Sequence, residues 1–406
     1  SRFLSVGEPR IEAPEGFEWT PLSSVARLES GHTPARKHPE YWDGDIPWIG
    51  IRDATANHGR TIYSTRERVT QAGVDNSSTR LLPANTVCLS RTASVGYVVT
   101  MGVPMCTSQD FVNWFCGPDL NHRYLSYVLR AEHDSMLRFA HGTTHQTIYF
   151  PEVKAFHVCL PDRRTQDGVA ETLGALDDKI ESNRRVVKTS WDLALAAWRQ
   201  IAVAGSAKAP LDELVSLNPE EIRPGLPEEV ISYVDIASVS ARSIDALQEL
   251  SWADAPSRAR RCVADGDVIF STVRPNRRSF ALVLEPTPST VVSTGFAVLR
   301  PTERLGPSAL AAIVDAAEFA DYLGSIAEGS AYPAVSASDI GDYSVRLPAV
   351  PLLAEFERST MPIRLRAARS AAESISLAAL RDALLPELLS GRLRVPEAEE
   401  LVSDVV

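Results

Sequence analysis

The chain has 406 residues, 44% of them hydrophobic and 23% charged, and its formal net charge is −11. A globular protein of this length has room for two domains of ordinary size. The negative charge excludes a protein that binds nucleic acid over its whole surface, and the lack of any apolar run of about 18 residues excludes a membrane-spanning helix.

Residues 1–18 contain no basic segment followed by an apolar core, so we interpret them as an irregular lead-in and not as a secretory signal. The cysteines are odd in number and include no C-x-x-C pair: Cys88, Cys106, Cys116, Cys159 and Cys262. This pattern is typical of free thiols and predicts a protein of the reducing cytoplasm.

Residues 19–161 are predicted to form a first domain of the α+β class. Its strands are short and rich in aromatic and β-branched residues: 46–51, 86–90, 97–100, 111–115 and 155–160. Leucines and a valine recur at helical spacing over residues 122–139, which predicts a helix there. Because strands and helices do not alternate regularly, a parallel βαβ fold is not expected.

Residues 162–204 change to a seven-residue period. The apolar residues of this period are Leu173, Ile180, Val187, Ala194 and Ile201. A companion line places two polar residues, Asn183 and Ser190, in the middle of the segment. This heptad pattern predicts a long helix that pairs with another in a coiled coil. Residues 205–210 are interpreted as a linker.

Residues 211–348 are predicted to form a second domain, with strands at 232–236, 268–272, 280–284 and 296–299. A second long helix is predicted over 349–391, beginning near Pro351 and ending at the C-cap glycine Gly391. Pro362 should kink this helix or mark its true start. Residues 392–406 are expected to form a frayed acidic tail.

The two domains share sequence features at a constant spacing. Residues 46–51 read Ile-Pro-Trp-Ile-Gly-Ile and residues 231–236 read Ile-Ser-Tyr-Val-Asp-Ile, an offset of 185 from Ile46 to Ile231. A similar offset pairs Leu160-Pro161 with Leu347-Pro348, and a long helical segment follows each. The pattern indicates a domain duplication. Two similar domains suit a protein that reads two similar targets, such as DNA half-sites.

The chain resembles the specificity subunits of type I restriction–modification systems over about residues 19–391. The matching features are the opening Trp19-Thr20-Pro21-Leu22, the segment Pro83 to Arg91, the Leu160-Pro161 junction before Gln166, and the helix sequence from Ala170 to Glu181. Their arrangement is specific, although no single motif is. The second copy departs from the pattern, with Glu355 near the position of the usual glutamine and Pro362 within the helix.

This resemblance implies an α+β fold with two pseudo-repeated target recognition domains, separated by two long antiparallel coiled-coil helices. Each domain would read one half of an interrupted double-stranded DNA sequence, and the helices would set the gap. The resemblance also implies partners: two modification subunits that carry S-adenosylmethionine chemistry, and restriction subunits that use ATP and Mg²⁺. The chain itself would hold no cofactor.

Motifs for independent chemistry are missing from the sequence. It has neither a glycine-rich cofactor loop with an Asn/Asp-Pro-Pro-aromatic motif for adenine methylation nor a G-x-x-x-x-G-K-[ST] loop for ATP. His141 and His145 have the spacing of a metal pair, but the intervening Gly-Thr-Thr favours an ordinary loop and no third ligand is evident. Two other functions remain open: a single-chain methyltransferase or nuclease, and a coiled-coil scaffold that binds only proteins.

Candidate DNA contacts lie in equivalent loops of the two domains. The loop after the strand 86–90 is small and polar, whereas its counterpart after the strand 268–272 is rich in arginine. Arginine can bind guanine and asparagine can bind adenine through two hydrogen bonds each, but exposed turns with solvated arginines are the alternative. The candidates are Ser90, Arg91, Thr92 and Ser94 in the first loop, Thr272, Arg274, Asn276, Arg277 and Arg278 in the second, and Thr143, Thr144, His145, Gln146 and Tyr332 in a second equivalent pair of segments.

Candidate docking residues lie on the first long helix. Asp177 and Asp178 are predicted to form a solvated or partner-docking face. Trp191 and Trp198 lie one heptad apart and predict a stacked apolar surface, either for a partner or within the chain. The helix seam alone would also explain these two tryptophans.

Overall fold

Two compact units make up the fold of the computed structural model, which describes residues 2–140, 146–203, 205, 207–222, 230–327, 333–403 and 405. The first unit consists of residues 1–178 with 378–406, and the second of residues 179–377. Helices and strands are mixed in each, as the α+β prediction requires. Two 40-residue helices, Arg163–Ala202 and Val350–Leu389, each contribute residues to both units.

The described residues of the first unit include eleven short strands. They are β1 (Leu4–Val6), β2 (Phe17–Pro21), β3 (Ala26–Ser30), β4 (Trp42–Ile49), β5 (Arg60–Ile62), β6 (Glu67–Val69), β7 (Val87–Ser90), β8 (Val98–Met101), β9 (Cys106–Thr107), β10 (Phe111–Cys116) and β11 (Phe156–Pro161). They form sheets with the orders β3-β10-β7-β8-β5, β6-β4-β9 and β1-β11-β2. Every residue of β7 and β8 is buried, which fits their mostly apolar sequences, Val-Cys-Leu-Ser and Val-Val-Thr-Met.

The helices up to the first long helix are α1 (Leu22–Val25), α2 (Ile51–Ala56), α3 (Gln71–Asp75), α4 (His122–Ala131), α5 (His133–Phe139), α6 (Phe150–Lys154) and α7 (Arg163–Ala202), with a 3₁₀ turn at Pro39–Tyr41. α4 begins where the Asn121 side chain accepts hydrogen bonds from the amides of Arg123 and Tyr124, at 2.8 and 3.2 Å. Its buried face packs on β7 and β8.

The second unit repeats this plan. Its strands are β12 (Ala207–Pro210), β13 (Val215–Leu217), β14 (Val230–Val234), β15 (Val239–Ser240), β16 (Ser243–Ile244), β17 (Gln248–Ser251), β18 (Ala259–Cys262), β19 (Val268–Ser271), β20 (Phe280–Leu282), β21 (Thr290–Ser293), β22 (Phe296–Pro301) and β23 (Ser344–Leu347). The remaining helices are α8 (Pro307–Asp315), α9 (Ala317–Ala327), α10 (Ala337–Gly341), α11 (Val350–Leu389) and, in the first unit, α12 (Val395–Ser403), with 3₁₀ turns at Leu211–Glu213 and Pro275–Arg277.

The sheet orders confirm the duplication. The order β13-β22-β19-β20 repeats β3-β10-β7-β8, and the parallel pair β14–β21 repeats the parallel pair β4–β9. β11 ends at Pro161 and β23 ends at Leu347, the residue before Pro348. Each of these strands pairs with an earlier strand of its unit, β11 with β2 and β23 with β12. A long helix follows each of these strands.

The long helices pair as the heptad pattern predicts. Within the second unit, Asn183 donates a 2.8 Å hydrogen bond to Glu373, and Trp198 lies 5.6 Å from Phe356 between ring centroids. The contact that lies further along α7, at Trp198, involves an earlier residue of α11, so the two segments are antiparallel. Asn183 is buried, so the polar position in the middle of the seam has a partner.

The prediction of an irregular lead-in is wrong, and the predicted helix 122–139 is present but interrupted. The lead-in is not irregular: β1 pairs with β11, and the buried carboxylate of Glu132 accepts 2.5 Å hydrogen bonds from the amides of Arg2 and Phe3. The predicted helix 122–139 is divided at this same Glu132 into α4 and α5. Backbone pairing over more than 100 residues of sequence is invisible to local periodicity.

The predicted linker and tail are also more ordered than expected. Residues 207–210 belong to β12. The tail forms α12, which buries Ala398 and Val402. A Cβ at Gly168 would lie 2.8 Å from Val395, so glycine permits this close approach. Pro362 lies inside α11 and does not mark its start.

None of the described helices is long and apolar enough to cross a lipid bilayer. The five cysteines are free thiols, as predicted; Cys88, Cys106 and Cys159 are buried, and Cys116 and Cys262 are half-buried. Burial raises the pKa of the Cys159 thiol to about 11, which keeps it protonated at neutral pH.

Candidate nucleic-acid interface

Three segments meet beside the end of β7 in the first unit. Thr92 forms a β-bridge with Thr147, and the Ile148 amide donates a 2.9 Å hydrogen bond to the Arg91 carbonyl. The Thr92 hydroxyl donates to the Asp110 carboxylate at 2.5 Å. The two polar segments that the sequence singled out separately therefore lie side by side, and Gln109 and Asp110 complete one surface.

The candidates in the first loop differ in accessibility. Ser90 is fully buried; its hydroxyl donates to the Ser94 carbonyl and accepts a 2.9 Å hydrogen bond from the Tyr97 amide. Ser90 therefore holds the loop and does not face a ligand. Arg91, Thr92 and Ser94 are half-exposed, and the Arg91 guanidinium donates to the Gln109 carbonyl at 3.2 Å.

The second unit brings together the equivalent segments. Val273 forms a β-bridge with Ala334, and the Arg274 amide donates a 2.7 Å hydrogen bond to the Pro333 carbonyl. The Thr272 amide and hydroxyl both donate to the Gly295 carbonyl, each at 2.9 Å. The same three-segment arrangement thus carries different side chains in the two units.

The arginine-rich loop has an unusual backbone. Its 3₁₀ turn, Pro275–Arg277, is flanked by Arg274 with a φ of 52° and Arg278 with a φ of 55°, both in the left-handed region. Residues other than glycine rarely adopt this backbone conformation, so surrounding contacts must maintain it. Asn276 and Arg277, the second and third residues of the turn, are exposed. In the first unit, Gln146 of the segment that lies beside the loop after β7 is exposed as well.

Of the arginines near this loop in the sequence, some are accessible to solvent and others bind groups within the fold. Arg258 is exposed, and Arg260 lies over the Trp252 ring at 5.1 Å from its centroid. Arg261 instead donates to the Asn218 side chain at 2.6 Å and to the Phe296 carbonyl. Burial lowers the pKa of Arg261, but it stays a cation at neutral pH. Positive charge available to a ligand is therefore local, on a chain that is acidic as a whole.

Some predicted residues lie outside the described part of the chain: Thr143, Thr144, His145 and Tyr332, together with the His141–His145 pair considered as a metal site. Among the residues that the structure describes, no group of three or more histidine, cysteine, aspartate or glutamate side chains is placed to hold a metal ion.

The predicted docking residue Asp177 is committed to contacts within the first unit. Its carboxylate pairs with Arg130 at 2.9 Å and Arg381 at 2.7 Å, and it accepts a 2.8 Å hydrogen bond from the Tyr127 hydroxyl. Burial alone would raise the pKa of Asp177, but the two guanidinium groups outweigh it and lower the pKa. The adjacent Asp178 side chain is 68% exposed and pairs with Arg123 at 3.4 Å.

Trp191 and Trp198 do not form a surface for a partner. Both are buried, at 3% and 5% exposure, in the core of the second unit. The Trp191 ring lies 5.7 Å from Phe280, and the Arg364 guanidinium stacks on it at 3.9 Å. The face of α7 that carries both tryptophans packs within the unit, as the seam alternative predicted.

Comparisons with known proteins agree with this architecture. Residues 14–188 match the family described as the type I restriction modification DNA specificity domain. The chain is 24% identical over 417 residues to the type I restriction enzyme MjaIX specificity subunit of Methanocaldococcus jannaschii, an alignment that covers 95% of both proteins. It is 27% identical over 173 residues to the EcoR124I/EcoR124II specificity subunit of Escherichia coli, which covers 41% of this chain and 42% of that protein.

The fold is also similar to a solved structure. The crystal structure of the type I restriction–modification S subunit from M. genitalium superposes with a TM-score of 0.55 and 15% identity, covering 94% of this chain and 98% of that one. At this level of identity the likeness concerns the fold.

We predict that Asp177→Asn lowers the free energy of unfolding by about 3 kcal/mol at neutral pH, because Arg130 loses its counter-charge and Arg381 keeps only Asp382. The carboxylate stabilises the fold above its unfolded pKa of about 3.9, and this contribution disappears as the pH falls through its lower folded pKa. The stability difference between wild type and variant should therefore shrink below about pH 4 in denaturant titrations.

The adjacent Asp178→Asn is the matched control, and it should change stability by no more than about 1 kcal/mol because its ion pair is exposed. Equal effects of the two substitutions would contradict a structural role specific to Asp177.

We also predict that Ser90→Ala destabilises the first unit by about 1–3 kcal/mol, because the Tyr97 amide loses its hydrogen-bond acceptor. Hydrogen exchange over residues 90–98 should speed up in this variant. Ser94→Ala is the control, and its effect on stability should stay within about 0.5 kcal/mol. Unchanged exchange in Ser90→Ala would show that its hydroxyl does not hold the loop.

Proposed function

We propose that this chain, which belongs to the specificity subunits of type I restriction–modification systems, recognises an interrupted DNA sequence through two separate reading domains. The first reading domain is residues 19–161 and the second is residues 211–348. The observation that carries the proposal is the repeated three-segment surface, which has the same backbone arrangement in both units and different side chains in each.

The side chains available on these surfaces suit DNA. In the first reading domain they are Arg91, Thr92, Ser94 and Gln146, and in the second they are Thr272, Arg274, Asn276 and Arg277. Arginine and asparagine can distinguish base pairs in the major groove, while serine and threonine bind bases or phosphates. Thr143, Thr144, His145 and Tyr332 remain proposed contacts from the sequence. Different side chains on equivalent surfaces would give the two half-sites different sequences.

The long helices are proposed to act as a spacer between the half-sites, through residues 162–204 and 349–391. A helix changes length by about 5.4 Å per turn, so the number of turns would set the gap between the half-sites. Their outer faces would dock two modification subunits, and the exposed Asp178 is a candidate contact.

The chain is proposed to contribute recognition, and its partners the chemistry. Modification subunits would bring S-adenosylmethionine, and restriction subunits ATP and Mg²⁺. The net charge of −11 supports this division. Because affinity for the DNA backbone comes from cationic groups that displace counterions, an acidic chain with local basic loops needs basic partners to bind DNA tightly.

We predict that the isolated chain binds DNA weakly, with a Kd of about 10⁻⁴ to 10⁻⁶ M at physiological salt and a steep salt dependence. Adding the modification subunits should tighten binding and make it sequence-specific. Fluorescence anisotropy across a salt series measures both effects. Tight, specific binding by the chain alone at physiological salt would contradict the division of roles, and methylation or cleavage by the chain alone would support an enzyme instead.

We further predict that the reading domains are independent. Replacing residues 211–348 with the corresponding segment of another specificity subunit should give a complex that modifies a hybrid site, with the first half and the gap unchanged and the second half replaced. Exchanging residues 19–161 is the matched control and should replace the first half only. Sequencing of modified positions reads both outcomes, and a single exchange that altered both halves would rule out independent reading.

A further inference from the structure

A buried carboxylate lies next to the arginine-rich loop of the second unit. Asp315 is the last residue of α8, and its side chain is fully buried. Arg278 and Arg242 each donate a 2.9 Å hydrogen bond to the same carboxylate oxygen, Oδ1. Arg278 also donates to the Asp315 carbonyl at 2.5 Å. One aspartate therefore holds two arginines that are distant from it in sequence.

This position is unfavourable for an aspartate taken alone. The C-terminal end of a helix carries partial negative charge, which repels a carboxylate. Burial raises the pKa of Asp315 even though Arg242 and Arg278 favour its ionised form. Removing one partner from a buried ion pair leaves the other charge uncompensated, so Asp315 and its arginines hold one another in place.

The ion pairs continue to the first long helix. Arg242 donates from Nη1 to Asp192 of α7 at 2.6 Å, and Asp192 also pairs with Lys188 at 2.6 Å. Arg242 has a φ of 75°, and its amide donates to the Phe280 carbonyl at 2.8 Å. The loop residue Arg278 is thus connected through Asp315 and Arg242 to the helix segment within its own unit.

We propose that Asp315 is a positioning residue for second-half recognition, and that Arg278 is a brace of the loop and not a DNA contact. The anchored Arg278 holds one end of the 3₁₀ turn, while the Arg274 amide holds the other end through the Pro333 carbonyl. Between these anchors, the exposed Asn276 and Arg277 are presented to DNA. The assignment rests on the proposed function and divides the arginines of the loop into contacts and support.

The first unit has a counterpart with a different charge pattern. At the offset of 185, Asp315 corresponds to Arg130 in the last turn of α4, and Arg130 pairs directly with Asp177 of α7 at 2.9 Å. In each unit an arginine of the reading domain meets an aspartate of α7, Arg130 with Asp177 and Arg242 with Asp192. The second domain places a buried aspartate, Asp315, between the helix contact and its loop, where the first domain has Arg130.

The test uses the whole complex, with this chain and its modification subunits. Modified positions sequenced for the wild type define the recognised site, and a duplex carrying that site is the binding probe. Asp315→Asn and Arg278→Gln should each reduce discrimination at the second half by about tenfold, with the first half unchanged, and the double variant should be no worse than either single variant. Arg277→Gln, combined with either Asp315→Asn or Arg278→Gln, should reduce discrimination at the second half further.

Salt dependence separates a brace from a DNA contact. The slope of log affinity against log salt should stay unchanged in Arg278→Gln, whereas loss of a phosphate contact would reduce it by about one. A reduced slope with equal weakening on all DNA would overturn the proposal, as would additive effects of Asp315→Asn and Arg278→Gln. Asp315→Glu, which keeps the carboxylate, should recover part of the discrimination.

Two further variants keep the test decisive. Asp192→Asn removes the outer ion pair at a side chain that is 45% exposed, so it should fold even if Asp315→Asn does not, and it should relax the same half-site to a smaller extent. Asp342→Asn, at an exposed position of the same unit, is the matched control and should have no effect. If the wild-type complex modifies no interrupted site, the proposed function fails; if it does and neither aspartate variant alters the second half, only the positioning role fails.

Discussion

The apolar seam of α7 is the constraint on which both units depend. Leu173 and Leu176 of this helix are fully buried in the first unit, and Trp191 and Ala194 are buried in the second. Neither unit has a complete core without its share of the helix, because these side chains fill space that strands and shorter helices leave open. Each set of loops is therefore built on a rigid helical segment, which preorganises the surface for binding.

Ion pairs fix the position of each reading domain on its segment of α7. Asp177 and Asp192 of α7 each bind an arginine of the domain that packs on them. The Asp177–Arg130 pair is partly shielded from solvent and the Asp192–Arg242 pair less so, and each favours one arrangement because a displaced partner would leave a charge unpaired. Acidic residues that hold arginines in this way serve the fold, so the net charge of −11 is compatible with locally basic loops.

Periodic features were predictable from the sequence, and long-range contacts were not. The duplication, the heptad seam and nine of the 23 strands in the described residues follow from local patterns with fixed spacing. In contrast, Glu132 binds amides about 130 residues away, and Asp315 meets Arg242 across 73 residues, with no motif to indicate either pairing. The candidate loops were found because they are equivalent in the two copies. The buried state of Ser90 was missed because its polarity alone does not reveal its partners.

The central claim is that this chain alone determines where its partner subunits modify DNA. The most direct measurement is sequencing of modified bases in cells that carry the intact system and in cells that lack only this chain. The account predicts one interrupted motif, with two half-sites at a constant gap, that disappears when the chain is removed. Modification that persists without the chain, or that follows a single uninterrupted motif, would contradict it.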